Sequence, residues 1–333
     1  MHLKVYSAEP HIKRKAPRRD LQRVVIVVLP GTASLDTSLT IQALKTANAV
    51  AGYAAFHWRI ATMDGQDIDL EDGFILKPDM AVGDDEAIDL ALVFGEWGVR
   101  TGKSDLFINW LKRLDRQSVY VGAVGGACNE LASAGLLSGY RCAVPWAYHD
   151  SFKELYPSVE IQDALFSWDR KRITCTGKAA CLDLILNIIE HQCGTDVAGQ
   201  VAEAFNYEVR GGASIPLRQR NLTLQKLSGK LAEAVRIMEE NLEVLLTAEE
   251  IAKEIGSSKR QIERLFARHL GCSPKRYYKR LRLKRARALL RQTALPVSEV
   301  AIACGFTSFS YFSRAYRGYF GSTPREDRLA RVS

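Results

Sequence analysis

Residues 251–266 read IAKEIGSSKRQIERLF, in which an apolar turn, a glycine and a second amphipathic stretch follow one another. The arrangement returns further along the chain, because Gly305 follows Gly256 by 49 positions and is again preceded by an apolar turn. Each copy predicts a helix, a glycine turn and a second helix. This region therefore predicts two helix-turn-helix units in an all-α domain.

Helix start signals flank the glycine turns. Thr247 with Glu250, and Ser258 with Gln261, have the spacing of capping-box pairs. Between the two units, residues 275–292 predict one long helix. Such a helix would hold the two units at a fixed separation.

The second helix of each unit is the one expected to lie in the major groove, with its early exposed residues on base edges. Helical spacing places Ile262, Leu265 and Phe266 on the inward face of the first such helix, and Phe312 and Tyr316 on that of the second. The outward residues are then predicted to contact bases or phosphates. They are Ser258, Lys259, Arg260, Glu263, Arg264, Ser310, Tyr311 and Arg314.

Charge is divided unevenly along the chain. Residues 221–333 hold 22 Lys and Arg against 11 Asp and Glu, whereas residues 24–220 carry a net charge of −8. The first 23 residues add a net +5 and predict a disordered basic tail. An acidic body with a basic C-terminal unit is typical of a protein that approaches a polyanion with one end. Double-stranded DNA is therefore the predicted partner.

The N-terminal two thirds alternate between apolar runs and helical spacing. The runs at 23–29, 89–94 and 118–124 predict strands buried on both faces. Alternation with helices predicts a parallel sheet with helices on both faces, an α/β domain. Ligands bind such sheets at the carboxyl ends of the strands. Those ends correspond to residues 30–34, 95–99 and 125–128.

Glycine and proline cluster around residues 210–218, which predicts an interdomain linker. The predicted segments are a tail at 1–22, a ligand-sensing and dimerisation domain at 23–205, a linker at 206–221 and a DNA-binding domain at 222–333. The seven cysteines have no CxxC spacing, which argues against a disulfide framework or a metal site and favours a reducing cytoplasm. No apolar run is long enough to span a membrane.

The C-terminal third resembles the AraC/XylS family of transcription regulators. The resemblance covers residues 224–328 and rests on the segments 251–266, GCSP at 271–274, RLKRA at 282–286, CGFTS at 304–308 and FGSTPR at 320–325. It implies two helix-turn-helix units that meet successive major-groove segments on one face of the DNA. It also implies an N-terminal domain that senses a metabolite or mediates dimerisation.

Residues 129–141, NELASAGLLSGYR, and Trp146 resemble the ThiJ/PfpI class I glutamine amidotransferase-like domain. The pairing of such a domain with an AraC/XylS-type domain defines the GlxA-like branch of the family. Enzymes of this fold carry a cysteine at a sharp turn between strand and helix. Here the nucleophile position falls on Gly125 and the acidic partner position on Gln42. We therefore expect a binding module with no catalytic residues. Cys128 would be the nucleophile if the alignment shifted by three residues, and that alternative stays open.

Aromatic and acidic side chains lie near the predicted strand ends. Free amides at the start of the helix after Gly125 suit a carboxylate, and aromatic faces beside a carboxylate suit a cationic or quaternary amine. We predict an amino acid or a betaine-like amine as the effector, and no cofactor. The predicted ligand-binding residues are Glu96, Trp97, Gly125, Gly126, Ala127, Trp146, Tyr148 and Trp168.

The leading hypothesis is a homodimeric cytoplasmic activator of transcription that responds to a small metabolite and works with RNA polymerase. A second hypothesis is a catalytically active ThiJ/PfpI-type domain with a DNA-targeting appendage. A third is a constitutive DNA-binding protein whose N-terminal domain only dimerises. The sequence specifies neither the effector nor the operator.

Overall fold

The computed structural model describes residues 21–84, 87–97, 105–208 and 228–329. Nearly all of the predicted tail at 1–22 and most of the predicted linker at 206–221 lie outside these residues. An α/β part extends up to residue 208, and an all-α part begins at residue 228. Both predicted fold classes are therefore confirmed. Within the described ranges, no helix is both long and apolar enough to cross a membrane.

Eleven strands occur among the described residues: β1 Arg23–Val28, β2 His57–Thr62, β3 Ile68–Asp69, β4 Ile75–Leu76, β5 Met80–Ala81, β6 Leu90–Gly95, β7 Tyr120–Gly125, β8 Arg141–Ala143, β9 Glu160–Gln162, β10 Phe166–Asp169 and β11 Arg172–Cys175. Seven form one sheet in the order β10-β11-β7-β6-β1-β2-β5. All neighbours in it are parallel except β10 and β11, which are antiparallel. The predicted parallel sheet is therefore extended by one antiparallel edge strand that the sequence pattern did not reveal.

Helices cover both faces of this sheet. They are α1 Ser34–Ala51, α2 Asp105–Arg116, α3 Cys128–Ser133, α4 His149–Leu155, α5 Ala180–Cys193 and α6 Thr195–Ala204. Helices α1, α5 and α6 share one core with Val24 and Ile26, whereas α2, α3 and α4 share the other with Val25 and Val27. Successive side chains of a strand point to opposite faces, so a continuous apolar run fits a strand that is covered on both.

The C-terminal part contains seven helices among its described residues: α7 Gly229–Glu240, α8 Ala248–Glu254, α9 Lys259–Leu270, α10 Pro274–Gln292, α11 Val297–Ala303, α12 Phe309–Phe320 and α13 Pro324–Leu329. Helices α8–α9 and α11–α12 are the two helix-turn-helix pairs. Ile262 and Phe266 are buried in the first core, and Phe312 and Tyr316 in the second, as the spacing predicted. Leu265 packs against the first core but is only partly buried. Helix α10 contributes side chains to both cores.

Local side-chain hydrogen bonds begin both helices of the first unit. Thr247 and Glu250 form the complete capping box that the sequence predicted at α8. Ser258 caps α9 through its hydroxyl, but the Gln261 side chain pairs with the Ser257 hydroxyl at 3.0 Å instead of closing the box. An N-terminal cap typically contributes about 1 kcal/mol, so both helices of the first unit carry their own start signal.

Candidate DNA interface and effector site

Helices α9 and α12, the recognition helices, present all of the predicted DNA-contacting side chains to solvent. The exposed set is Ser258, Lys259, Arg260, Glu263, Arg264, Ser310, Tyr311 and Arg314. Lys259 is held by an ion pair of 2.5 Å with Glu249 of α8, and this hydrogen bond raises the Lys259 pKa. The two helices thus present hydrogen-bond donors on side chains of different lengths, from serine hydroxyls to arginine guanidinium groups.

A cavity of 720 Å³ lies between the two recognition helices and the first turns of α10. Its basic lining residues include Lys259 of α9 and Lys275, Arg276 and Lys279 of α10, and Tyr311 of α12 also lines it. The carboxylates Glu249 and Glu263 lie in the same lining, and Glu249 pairs with Lys259. Basic side chains in a concave surface between two recognition helices suit a phosphate backbone that passes from one groove segment to the next.

The sharp turn after β7 is built on glycine. Gly125 has a φ of 65°, a left-handed conformation that glycine adopts without strain. A Cβ atom on Gly126 would lie 2.2 Å from the backbone of Glu96 and Trp97. The backbone after β6 therefore lies directly against the turn, and no side chain fits between them.

The predicted free amides at this turn are already paired within the chain. The amide of Gly126 donates to the carbonyl oxygen of Gly95 at 2.7 Å, and the amide of Ala127 donates to that of Val124 at 3.4 Å. The expectation that the Gly126 and Ala127 amides are free is therefore wrong, and their assignment to ligand binding stays a prediction. The turn is tight enough that the neighbouring strand ends take up these donors.

A carboxylate that the sequence analysis missed lies beside the turn. Asp36 is buried, and its Oδ1 accepts a hydrogen bond of 2.7 Å from the Lys178 amide. Its Oδ2 lies close to Gly177, and a Cβ atom built on Gly177 would also contact Gly125. Asp36 and Gly125 are therefore both neighbours of Gly177. Burial raises the pKa of Asp36. By contrast, the predicted acidic-partner position, Gln42, is exposed on α1, so the assignment of that position to Gln42 is wrong.

Cys128 is packed inside the domain. It is fully buried, and its thiol lies 3.8 Å from the Ala123 carbonyl oxygen and 3.7 Å from that of Ala143. Burial raises its pKa well above the ordinary value. The thiol form, which is the poor nucleophile, is therefore strongly favoured.

Aromatic and charged side chains gather at the carboxyl ends of β6 and β7. The Trp97 ring stacks on Tyr148 with centroids 4.5 Å apart and planes at 11°. The Tyr148 hydroxyl lies 3.5 Å from Glu96 Oε1, and Lys178 Nζ lies 3.6 Å from Glu96 Oε2. Trp146 belongs to the same 3₁₀ turn as Tyr148, residues 146–148. The structure thus brings together most of the predicted ligand-binding residues and adds Asp36 and Lys178.

Trp168 does not belong to this group, so that prediction is wrong. It lies in the antiparallel edge strand β10, where its ring packs against Tyr120 and His191 and its Nε1 donates to the Arg170 carbonyl oxygen at 3.1 Å. Trp168 was expected near the carboxyl ends of the parallel strands, but β10 runs in the opposite direction and places it elsewhere.

Comparisons with known proteins agree with the fold of both parts of the chain. The profile of the DJ-1/PfpI family matches residues 22–191, and that of a helix-turn-helix domain matches residues 251–330. The chain is 36% identical over 314 residues to the HTH-type transcriptional regulator GbdR of Pseudomonas aeruginosa, covering 93% of this chain and 85% of the relative. It is 44% identical over 225 residues to the HTH-type transcriptional regulator ArgR of the same species, covering 66% and 68%.

A solved structure shows the N-terminal fold. An AraC family transcriptional regulator from Pseudomonas putida aligns with 55% of this chain and 99% of its own, with a TM-score of 0.50 and 24% identity. These matches define a class in which a DJ-1/PfpI domain is joined to an AraC-type helix-turn-helix domain. The chain belongs to this family of HTH-type transcriptional regulators.

Proposed function

We propose that the chain regulates transcription by placing α9 and α12 in successive major-groove segments of double-stranded DNA. The observation that carries this proposal is the arrangement around α10. One helix packs into the cores of both units, while the outward side chains of both recognition helices stay exposed. A shared rigid helix fixes the distance between the two base contacts, which is the requirement for binding two groove segments at once.

Within this interface, Arg260, Arg264 and Arg314 are the proposed base-reading residues. An exposed arginine at the start of a recognition helix can pair with guanine through two hydrogen bonds, at about 1–3 kcal/mol of discrimination. Lys275 and Lys279 line the cavity between the helices and are assigned to phosphates, which position the protein without specifying sequence.

Selection of duplexes from a randomised pool by the full-length chain tests this function. We expect one enriched sequence with two half-sites, bound at least about a thousandfold more tightly than random DNA at 150 mM salt. Arg260→Ala should relax the preference at one base position and weaken binding about 5- to 150-fold. Arg59→Ala, an exposed arginine on β2, is the matched control and should bind as the wild type does. Failure to enrich any sequence would refute the proposal.

We assign the N-terminal domain to effector binding and not to catalysis. The support is that Gly125 occupies the turn where enzymes of this fold carry a nucleophile, while the Cys128 thiol is buried. The enzymatic alternative requires Cys128 as the nucleophile. A turnover that Cys128→Ser abolishes, with the fold intact, would revive that alternative.

The proposed effector is an amino acid or a quaternary amine. Glu96 beside the stacked Trp97 and Tyr148 rings suits a cationic group. Because the Gly126 and Ala127 amides are paired within the chain, the group assigned to the effector's carboxylate is instead Lys178, whose side chain is over half exposed.

The oligomeric state and the mode of regulation complete the proposed function. We infer that the chain acts as a homodimeric activator in contact with RNA polymerase, with residues 23–205 and 222–333 as its sensing and DNA-binding domains. The alternative of a constitutive DNA-binding protein, in which residues 23–205 only dimerise, predicts that no effector alters DNA affinity.

A further inference from the structure

The sensing domain and the DNA-binding domain meet through a short segment that we name the latch, residues 146–155. It consists of the 3₁₀ turn and α4. On the other side of the contact lies the C-terminal half of α10. Arg285 donates a hydrogen bond of 2.8 Å to Glu154 Oε1 of the latch, and its Nε lies 3.9 Å from Asp150 Oδ1.

A second group of contacts lies two turns further along α10. Gln292 Nε2 donates to the carbonyl oxygen of Ala147 at 3.1 Å, and the Ser151 hydroxyl donates to Gln292 Oε1 at 2.6 Å. Seven residues make about two helical turns, so Arg285 and Gln292 project from the same face of α10. The latch therefore contacts α10 at two points, at opposite ends of this face.

The same segment forms one wall of the proposed effector site. Tyr148 of the latch carries the ring that stacks on Trp97 and the hydroxyl that faces Glu96. Phe152, one turn further on, is fully buried and packs against Trp97 with ring centroids 5.8 Å apart. A ligand that displaces Trp97 or Tyr148 must therefore shift α4 or break its packing, because a close-packed core transmits such strain.

The contacted face of α10 is connected to the second helix-turn-helix unit. Leu283, Ala286 and Leu290 of α10 are buried in the core of that unit. Cys304, next to its glycine turn, is buried so that its pKa rises to about 12, and the charges of Arg285, Asp150 and Glu154 also act on this pKa. The latch thus contacts the helix whose buried side chains share one core with Cys304 and with Phe312 of α12.

The contact is polar and incompletely satisfied, which makes it easy to open. The Arg285 side chain is 13% exposed, yet its buried Nε atom has no hydrogen-bond partner among the described residues. Desolvation of a mostly buried ion pair cancels much of its attraction. A contact of this kind holds two domains in one orientation with little net stability, so a modest binding energy shifts its equilibrium.

We propose that the latch couples the effector site to the second recognition helix by engaging or releasing Arg285 and Gln292 of α10. This coupling rests on the proposed effector site, but it makes a prediction that needs neither ligand nor DNA. Perturbing Trp97 should alter the dynamics of α10 in the other domain.

Hydrogen–deuterium exchange on the full-length chain tests this prediction. We expect Trp97→Ala to speed amide exchange at least about fivefold in both residues 149–155 and residues 285–292. Faster exchange in residues 149–155 alone would overturn the coupling. Lys153→Ala, an exposed position on α4, is the matched control and should change neither segment. If Trp97→Ala fails to melt cooperatively, Tyr148→Phe replaces it, since it removes only the hydroxyl that faces Glu96.

A double-mutant cycle with DNA affinity as the readout separates this inference from the proposed function. The probe is the duplex selected by the full-length chain. We expect Trp97→Ala to change the dissociation constant for this duplex in the wild-type chain by a factor at least about three times larger than in the Arg285→Ala variant. Coupling of this size is typical of residues in one contact network. The charge-swapped pair Glu154→Arg with Arg285→Glu should restore part of the wild-type response, because Asp150 still faces position 285. If the chain binds DNA sequence-specifically but the effects of Trp97→Ala and Arg285→Ala are additive, the latch is refuted and the proposed function stands. If the selection yields no duplex, the proposed function is refuted, and the exchange experiment still tests the latch.

Discussion

The Nε atom of Arg282 in α10 donates a hydrogen bond of 2.6 Å to the carbonyl oxygen of Cys304, at the end of α11. A second guanidinium nitrogen donates to the Gly305 carbonyl oxygen, and the guanidinium carbon lies 3.9 Å over the Phe306 ring. The residue is 8% exposed, and this burial lowers its pKa. The glycine turn of the second unit is therefore bound directly to the shared helix.

Removing this guanidinium should destabilise the second unit. Arg282→Leu leaves the buried carbonyl oxygens of Cys304 and Gly305 without these donors, at about 1–3 kcal/mol for each buried group left unsatisfied. We expect a total loss of about 2–4 kcal/mol in the free energy of unfolding, measured by urea titration of the full-length chain. Arg276→Ala removes an exposed arginine from the same helix and should change stability by less than about 0.5 kcal/mol.

Asp327 should make the second unit sensitive to acid. Burial opposes its ionisation, but hydrogen bonds from Arg291 and Tyr316 and the charge of Arg287 together lower its pKa to about 2. A carboxyl group whose pKa is depressed on folding stabilises the folded state above its unfolded pKa, near 4, and loses this effect as the pH falls towards 2.

Asp327→Asn should therefore lower the free energy of unfolding by about 2 kcal/mol at pH 7. The difference from the wild type should shrink between about pH 4 and pH 2, in denaturant titrations repeated across that range. A difference that stays constant down to pH 2 would show that the carboxylate is not the stabilising group.

Gly126 should tolerate no side chain. A Cβ atom there would lie 2.2 Å from the Trp97 amide nitrogen and from the Glu96 carbonyl carbon, both backbone atoms that cannot rotate away. We expect Gly126→Ala to cost about 3 kcal/mol or more and to abolish effector binding. Gly199→Ala in α6 has open space around its Cβ and should stabilise the helix by up to about 1 kcal/mol. Thermal melts of the two variants provide the comparison, and equal melting temperatures would contradict it.

Effector binding should raise the melting temperature of the full-length chain. The probes are amino acids, polyamines, betaines and carnitine-like amines. A ligand at 100 times its Kd stabilises by about 2.7 kcal/mol, which corresponds to several degrees for a domain of this size. Trp97→Ala or Glu96→Gln should abolish the shift, whereas Trp168→Phe should retain it because Trp168 packs elsewhere. If only Trp168→Phe abolished the shift in melting temperature, the effector would bind near Trp168 and not at the proposed site.

Local patterns were enough to predict most of the DNA-binding part. The repeated glycine turns at Gly256 and Gly305, the cap at Thr247 and the inward spacing of Ile262 and Phe266 are all properties of short segments. Helices and their caps depend on residues three or four positions apart. A single sequence therefore contains the information that specifies them.

The residues of the proposed effector site were predicted only in part, because they come together from distant segments. Glu96, Trp97 and Tyr148 were found as polar or aromatic residues near strand ends. Asp36 was missed, although it lies in the first turn of the helix after β1, where the position relative to the strand end would have indicated it. The strand pattern also gave no sign that β10 runs antiparallel, and this direction is what separates Trp168 from the site.

By itself, the sequence determined the two fold classes, the two helix-turn-helix units and the outward residues of the recognition helices. Only the tertiary structure decided which carboxylate lies beside Gly125, which amides are already paired and how α4 contacts α10. Arg285 and Glu154 are 131 positions apart, and no periodicity relates them. Such contacts depend on how whole elements pack against each other, whereas helices and turns depend on the conformational preferences of neighbouring residues.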